Sequence, residues 1–341
     1  MSTKKLPTSR RTFVKGTAAS AAIAPFFIGR SAKAAEPDWT LTLGTVAPRD
    51  TPWGGMATRI SKLMTEKTGG KVKLKTFFGG SRGTEQTVAA STAAGTMAIF
   101  AGSFGGLGKI IPELGVFELP FIMSSAKQGR KVVDANRTLI HDLLWERGFK
   151  LMMFSENGSQ DIGTTRPVEK PSDMKGLKIR TLESQVHIDT VEATGATAVP
   201  MGVTEVLPSL QTGVIDGLTN TALFATAANW TSGLADWTVT HHCWQPAVVA
   251  MSRLVWEKLP AEIQEAMGLE SAELAKIKTR TDRKLDAMAP QLLQNIADLG
   301  ITVHKPDLAP WKTIAGKVQA KFDKRTTKYG RALLKGIKKA T

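Results

Sequence analysis

The spacing of apolar residues switches between two periods along the first hundred positions. Apolar side chains alternate with threonine or lysine in "WTLTLGTV" and "KVKLKTFF", as in strands with one buried face. Between these segments, Thr51 and Pro52 precede apolar residues at helical spacing, and Gly69 follows, which predicts a capped helix. The expected elements are strands at 39–46, 71–78 and 96–101 and helices within 51–70 and 84–94. This β-α-β-α-β order predicts a parallel sheet covered by helices.

The same alternation restarts after a predicted helix at 125–147. The expected elements are strands at 149–155, 177–181, 196–200 and 213–220, with helices at 185–194 and 203–211. Two strands at 236–244 and 247–256, a long helical region at 257–298 and a basic surface helix at 317–341 complete the chain. The pattern therefore predicts an α/β protein with two halves and a cleft between them.

Two polar side chains stand at the carboxyl ends of predicted strands in the second half. Arg180 ends "LKIRT" and Asn220 ends "GVIDGLTN". Because ligands bind at such strand ends and between domains, we expect both side chains at one site. A guanidinium suits a carboxylate, so Arg180 is the predicted anion anchor. The alternatives are a salt bridge from Arg180 to Glu183 or Asp173 and a turn-forming role for Asn220.

Other candidate site residues depend on weaker signals. Ser103 lies in the glycine-rich stretch 102–108, either as a hydrogen-bond donor to ligand or as a small residue in a tight turn. Candidate cleft walls are the aromatic residues Trp53, Phe224, Trp230 and Trp244, each of which also fits a core position.

The distribution of charge argues against nucleic-acid binding. The chain has 341 residues, 45 basic and 30 acidic, for a net charge of +15. Residues 1–34 hold seven basic and no acidic side chains, and residues 317–341 hold nine basic side chains and one acidic. The middle of the chain is therefore neutral. A single cysteine, Cys243, excludes an internal disulfide.

The N-terminal segment indicates export. Arg10 and Arg11, followed by Thr-Phe-Val-Lys, precede a weakly apolar run at 17–29 and an Ala-Lys-Ala sequence ending at Ala34. That run is shorter than the ~20 residues of a spanning helix. The segment resembles a twin-arginine signal peptide, which predicts cleavage near Ala34 and a bacterial periplasmic location.

Several motifs of catalytic and cofactor-binding sites are incomplete or missing in the sequence. The stretch "GSFGGLGK" lacks the glycine and the hydroxyl residue that a phosphate-binding loop needs, and Ile111 breaks a dinucleotide fingerprint. The "HHC" at 241–243 places neighbours on opposite strand faces, so a structural role is favoured over a metal site. No nucleophile elbow occurs. We therefore predict a protein without cofactor or metal and without enzymatic activity.

Three segments carry a family resemblance. "SDMKGLKIRT", "GATAVPM" and "TEVLPSLQTGVIDGLTN" resemble, in fixed order, the substrate-binding proteins of TRAP transporters of the DctP type. The resemblance implies a two-domain periplasmic binding protein with hinge strands and a long helix spanning both domains. The implied domains are 35–157 plus 246–285 and 158–245 plus 286–341, after a signal peptide at 1–34.

The resemblance also implies roles for site residues. Arg180 matches the family's carboxylate-binding arginine and Asn220 its ligand-contacting asparagine. Gln160 stands where many members carry a second arginine, and Thr219 replaces a family acid. A neutral amide at Gln160 favours a ligand with one carboxylate over a C4-dicarboxylate.

The implied function is capture of an organic acid and its delivery to the membrane subunits of a TRAP transporter. Two alternatives are also compatible with the sequence. One is a periplasmic ligand sensor for a membrane kinase, and the other is a periplasmic enzyme acting on a carboxylate.

Overall fold

The computed structural model describes residues 38–341, so the predicted export signal lies outside the described residues. Side-chain caps begin the first helices where the sequence predicts them. Thr51 Oγ1 accepts a hydrogen bond from Gly54 N at 3.1 Å, and Thr84 Oγ1 accepts one from Thr87 N at 3.2 Å.

The described chain contains nine strands. They are β1 (Trp39–Gly44), β2 (Val72–Phe77), β3 (Ile99–Ser103), β4 (Phe149–Thr164), β5 (Lys178–Thr181), β6 (Thr197–Pro200), β7 (Gly217–Thr221), β8 (Asp236–Ser252) and β9 (Thr302–His304). They form one sheet in the order β2-β1-β3-β8-β4-β7-β5-β6, with β9 paired to β8.

Twelve α-helices accompany these strands in residues 38–341. They are α1 (Pro52–Lys67), α2 (Glu85–Ala93), α3 (Ala126–Ala135), α4 (Arg137–Glu146), α5 (Gln185–Glu192), α6 (Val206–Gln211), α7 (Ala222–Ala227), α8 (Arg253–Trp256), α9 (Ala261–Met267), α10 (Ala272–Asp298), α11 (Ala309–Arg325) and α12 (Lys328–Ala340). None of the described helices is both long and apolar enough to cross a membrane.

Two long antiparallel strands, β4 and β8, join two α/β halves. Strands β2, β1 and β3 run parallel on one side, and β7, β5 and β6 run parallel on the other. Both groups attach through antiparallel pairs, β3 to β8 and β4 to β7. The predicted two-part α/β architecture is thereby confirmed.

The long helix α10 contributes to the cores of both halves. Near its start, Leu274 packs in the cluster formed by α1, β1 and β2. Near its end, Ile296 packs with Trp230 and Trp237 of the second half. The prediction of a long helix spanning both halves is confirmed, and its apolar positions tie the halves together.

Strand β4 and strand β8 are longer than the sequence predicts. The strand predicted at 149–155 continues to Thr164, and the two strands predicted at 236–244 and 247–256 are one. Turn-like residues misled the prediction, because Gly158 and Pro246 lie inside these strands at a bulge. The end of the second predicted strand is helical, since Ser252 caps α8 through its bond from Val255 N at 3.4 Å.

Three predicted helices are interrupted. The helix predicted at 125–147 breaks at Asn136, whose Nδ2 donates to the Val132 carbonyl oxygen at 2.8 Å. The region 257–298 breaks at Gly268, which has a positive φ of 51° and ends α9. The basic end forms α11 and α12 rather than one helix, because Thr327 caps a new helix.

Candidate functional site

One pocket opens where the parallel strands of both halves end. Its lining includes Thr45 just after β1, Met201 just after β6, and Asn220 near the end of β7. The N-caps of α1 and α2, Thr51 and Thr84, also line it. Strand ends and helix N-termini surround one space, and helix N-termini favour bound anions.

Arg180 lies buried in the pocket lining, with 2% of its surface exposed. Its Nε and Nη2 donate to the Met201 carbonyl oxygen at 3.2 and 3.0 Å. The guanidinium carbon lies 5.1 Å from the ring centre of Trp230, which supports the group from behind. Its Nη1 is buried and has no hydrogen-bond partner among the described residues.

The predicted alternative for Arg180, a structural salt bridge, is absent from the described chain. Glu183 pairs instead with Lys109, whose Nζ lies 3.6 Å from the Glu183 Oε1. Asp173 accepts from the backbone N of Lys170 at 3.0 Å. Burial lowers the pKa of Arg180 to about 10, although Glu85 and other nearby carboxylates oppose the shift. Arg180 therefore stays charged at neutral pH.

Glu85 is a pocket residue that the sequence analysis missed. Its Oε1 accepts from the Ser103 backbone N at 2.9 Å, and its Oε2 accepts from the Ser103 hydroxyl. Burial raises the pKa of Glu85, against the Ser103 bonds and the charge of Arg180. Its position at the first turn of α2 is common for an acid, so the sequence offered no signal for a pocket role.

Two glycines make room for this carboxylate. A Cβ on Gly102 would lie 2.4 Å from Glu85 Oε1, and one on Gly106 would lie 2.6 Å from Glu85 Oε2. Gly106 N also donates to the Ser103 hydroxyl oxygen at 2.9 Å. The glycine-rich stretch therefore makes room for the Glu85 carboxylate and is not a phosphate-binding loop.

The structure divides the predicted site residues into two groups. Arg180, Asn220, Trp53 and Phe224 line the pocket. Ser103, Gln160, Trp230 and Trp244 do not line it. Ser103 lies behind Glu85 and Trp230 behind Arg180, so each supports a lining residue.

Gln160 occupies a buried position on β4. It lies opposite Thr221, which lines the pocket, and opposite Cys243 on β8. Both atoms of its side-chain amide are buried without a hydrogen-bond partner in the described chain. Such an amide is costly to bury unpaired, which marks it as unusual for a purely structural residue.

The pocket lining has an unequal balance of charge. Among the described residues, Arg180 is the one basic side chain that lines it, whereas Glu85 and Glu183 supply two acidic ones. Asn157 and Gln245 add neutral amides, joined by a 3.0 Å hydrogen bond from Nδ2 to Oε1. The pocket can thus bind one anionic group of a ligand at Arg180, and its carboxylates and amides can accept hydrogen bonds from donors elsewhere on the ligand.

Two residues of the "HHC" segment, His242 and Cys243, lie in the core of the sheet, whereas His241 is exposed. His242 is 3% exposed, and its Nδ1 lies 2.7 Å from the Thr240 hydroxyl oxygen. Cys243 is also buried. Within residues 38–341, no group of three or more histidine, cysteine or acidic side chains is placed to hold a metal ion.

A pocket lined by residues of two α/β halves, which are joined by paired strands, defines a two-lobed solute-binding protein. Residues 43–325 match the model of the DctP family, described as bacterial extracellular solute-binding protein, family 7. The chain belongs to this family. It is a periplasmic protein of the solute-binding class.

Two relatives illustrate the range of the family. A solute-binding protein of Verminephrobacter eiseniae is 30% identical over 82% of this chain and 83% of its own length. The C4-dicarboxylate-binding periplasmic protein DctP of Rhodobacter capsulatus is 27% identical over 87% of this chain and 89% of its own.

A solved structure has the same fold. The TRAP periplasmic solute-binding protein of Citrobacter koseri, with bound D-glucuronate, superposes with a TM-score of 0.82 at 26% identity. The match covers 89% of this chain and all of the other. These similar proteins include one named for a dicarboxylate and one holding a monocarboxylate, so the residues of this chain decide its own preference.

Proposed function

We propose that this protein captures an organic acid in the pocket and delivers it to the membrane subunits of a TRAP transporter. The observation that carries the proposal is the buried guanidinium of Arg180, with its unpartnered Nη1 at the pocket. A buried charge without a direct ion pair is costly. A ligand carboxylate would relieve that cost and would meet the planar donors of the guanidinium.

The rest of the pocket supports a ligand with one carboxylate. A second carboxylate would find Glu85, Glu183 and the neutral amides, with no further basic side chain in the described lining. In neither protonation state does Glu85 offer a positive charge. Glu85 does accept hydrogen bonds, so it suits hydroxyl groups on the ligand. We therefore propose a hydroxy, keto or sugar acid.

Asn220 is proposed to assist Arg180 at the carboxylate end. Its Oδ1 accepts from the Thr221 backbone N at 2.7 Å, which holds the side chain in place at the pocket wall. Its Nδ2 is then the group that remains to donate to a ligand. Gln160 is proposed as a neighbour that tunes this end, because its amide is buried without partners beside Thr221.

Closure of the two lobes is the proposed binding movement. The lobes are proposed as 35–157 plus 246–285 and 158–245 plus 286–341, with Leu333, Leu334 and Ile337 of α12 reaching across to pack on the core of the first lobe. The register of β4 against β8 shifts between Glu156 and Gly158, at the boundary of these lobes. Gly158 has a positive φ of 94°, so a bulge interrupts the ladder where a hinge is required.

The testing experiment is a calorimetric titration of purified protein with organic acids. The panel pairs sugar, hydroxy and keto monocarboxylates with succinate, malate, fumarate and neutral sugars of similar size. Tight binding of a carboxylate, absent for the matching neutral sugar or amide, is expected. Equal binding of a neutral analogue would contradict the proposed anchor.

A further inference from the structure

The helix α12 carries a face of uniform positive charge. It has five basic side chains and no acidic one: Lys328, Arg331, Lys335, Lys338 and Lys339. All five are exposed, whereas Leu333, Leu334 and Ile337 are buried against the first half. The apolar side of the helix is thus used for folding, and the basic side faces solvent.

These five side chains form one narrow stripe, called here the α12 basic face. At ~100° of turn per residue, they fall within an arc of about 100°. The stripe is roughly 16 Å long, at 1.5 Å per residue. The buried Leu333 and Ile337 lie on the other side of the helix.

The α12 basic face lacks internal compensation. In the described chain, none of its five side chains takes part in an ion pair, in contrast to α11. There, Lys321 pairs with Glu192 at 3.2 Å, and Arg325 pairs with Asp189. The charges of α12 are therefore available to an external anionic partner.

The composition of this face favours a lipid surface over a protein surface. Protein interfaces centre on buried aromatic or arginine anchors and are depleted in lysine. The α12 face has four lysines and one arginine, flanked by Ala332 and Gly336. The large exposed apolar residues of the described chain are Val214, Leu254, Met288 and Leu299, all outside α12.

We propose that the α12 basic face binds electrostatically to a membrane surface rich in anionic phospholipid. Clustered lysines are attracted to anionic headgroups over a distance set by ionic strength. Because no large apolar side chain projects from this face, the helix adheres to the surface without inserting. A periplasmic binding protein held this way searches for its membrane partner along a surface instead of through the whole compartment.

The test measures co-sedimentation of protein purified from the periplasm with phosphatidylcholine vesicles, with and without phosphatidylglycerol, across a salt series. The test variant is Arg331→Gln, Lys335→Gln, Lys338→Gln and Lys339→Gln. The matched control removes the same charge from exposed positions of α10: Lys276→Gln, Arg280→Gln, Arg283→Gln and Lys284→Gln.

Wild type is expected to bind only the anionic vesicles and to dissociate as salt increases. The α12 variant should bind at least about ten-fold more weakly, while the α10 control stays within about two-fold of wild type. No binding by wild type, equal loss in both variants or binding independent of salt would overturn the proposal. No residue of α12 lines the pocket, so ligand titration of the same variants verifies folding and reports on the proposed function separately.

Discussion

The backbone carbonyl oxygen of Met201 holds the guanidinium of Arg180 through two hydrogen bonds, 3.2 Å from Nε and 3.0 Å from Nη2. This pairing fixes the plane of the guanidinium without neutralising it, because a carbonyl oxygen carries only a partial charge. The remaining terminal nitrogen, Nη1, is buried and has no partner in the described chain. Met201 therefore orients the charge, and a ligand anion is the group that would complete its coordination.

Substitution Arg180→Ala is expected to weaken ligand binding by about two to three orders of magnitude, since losing one partner of a buried charge pair costs ~3–5 kcal/mol. Arg180→Lys should recover only part of this loss, because an ammonium lacks the planar fork. Isothermal titration calorimetry measures both. The exposed Arg166→Ala is the control, and a loss below tenfold for Arg180→Ala would show that Arg180 is not the carboxylate anchor.

The alternation of apolar residues and the helix caps predicted most of the parallel elements. Thr51 and Thr84 cap helices because their hydroxyl oxygens satisfy free backbone N–H groups, a local effect that sequence reveals. The long strands β4 and β8 were predicted too short. Gly158 and Pro246 favour turns locally, but the pairing of β4 with β8 accommodates both residues at a bulge. Such pairing is tertiary and leaves no local signal.

The candidate site, too, could be predicted only where its residues carry a local signal in the sequence. Arg180 and Asn220 follow from their positions at strand ends, and both line the pocket. Glu85 was missed because an acid in the first turn of a helix is usually explained by the helix dipole. Its pocket role depends on Ser103 and on two glycines that are close only in the fold. Long-range contacts of this kind are invisible to spacing along the chain.

Ligand binding is expected to draw the two lobes together. Small-angle X-ray scattering should show a smaller radius of gyration at saturating ligand than without ligand. The bulge at Gly158 supplies the flexible point, so Gly158→Ala, which strains a positive φ by ~1 kcal/mol, should change the closing rate more than Gly213→Ala. An unchanged radius of gyration in wild type at saturation would contradict closure.

The burial of His242 is expected to lower the free energy of unfolding at acidic pH. Burial, with the nearby charges of His187 and His241, lowers the pKa of His242 to about 4 from its ordinary 6.5, despite Asp161. Between about pH 4 and 6.5, His242 therefore binds a proton in the unfolded chain but not in the folded chain. The free energy of unfolding should fall by about 3 kcal/mol from this group as pH drops from about 6.5 to 4.

The measurement is urea unfolding of wild type and His242→Gln between pH 4 and 8. The variant should lose less stability over the acidic window, whatever its stability at pH 8. His141→Gln, at a partly exposed position, is the matched control, because it removes a histidine from the surface. Parallel pH profiles for wild type and His242→Gln would rule out this role.

Export is predicted to depend on the paired arginines of the N-terminal segment. The double substitution Arg10→Lys and Arg11→Lys keeps the charge but removes the twin-arginine pattern. Fractionated cells should then show uncleaved precursor in the cytoplasm and little protein in the periplasm. Lys4→Arg with Lys5→Arg is the control for basic charge near the start. Undiminished periplasmic protein in the Arg10 and Arg11 variant would refute the prediction.

The ligand is predicted to carry one carboxylate rather than two. With Arg180 as the one basic side chain in the described lining, a second carboxylate would lie near Glu85, Glu183 or the neutral amides of the lining. Burying it uncompensated costs on the order of 3 kcal/mol, or about a hundredfold in affinity. Competition titrations should therefore rank sugar and hydroxy monocarboxylates well above succinate.

Removing an acid or adding a base should then reverse part of this preference. Glu85→Gln and Gln160→Arg are both expected to strengthen succinate binding relative to the monocarboxylates, by about tenfold or more. Glu183→Gln is the matched control with a smaller effect, because Lys109 already pairs with that carboxylate. Micromolar succinate binding by wild type, without a comparable monocarboxylate, would show that the second charge is compensated by a group outside this pocket lining.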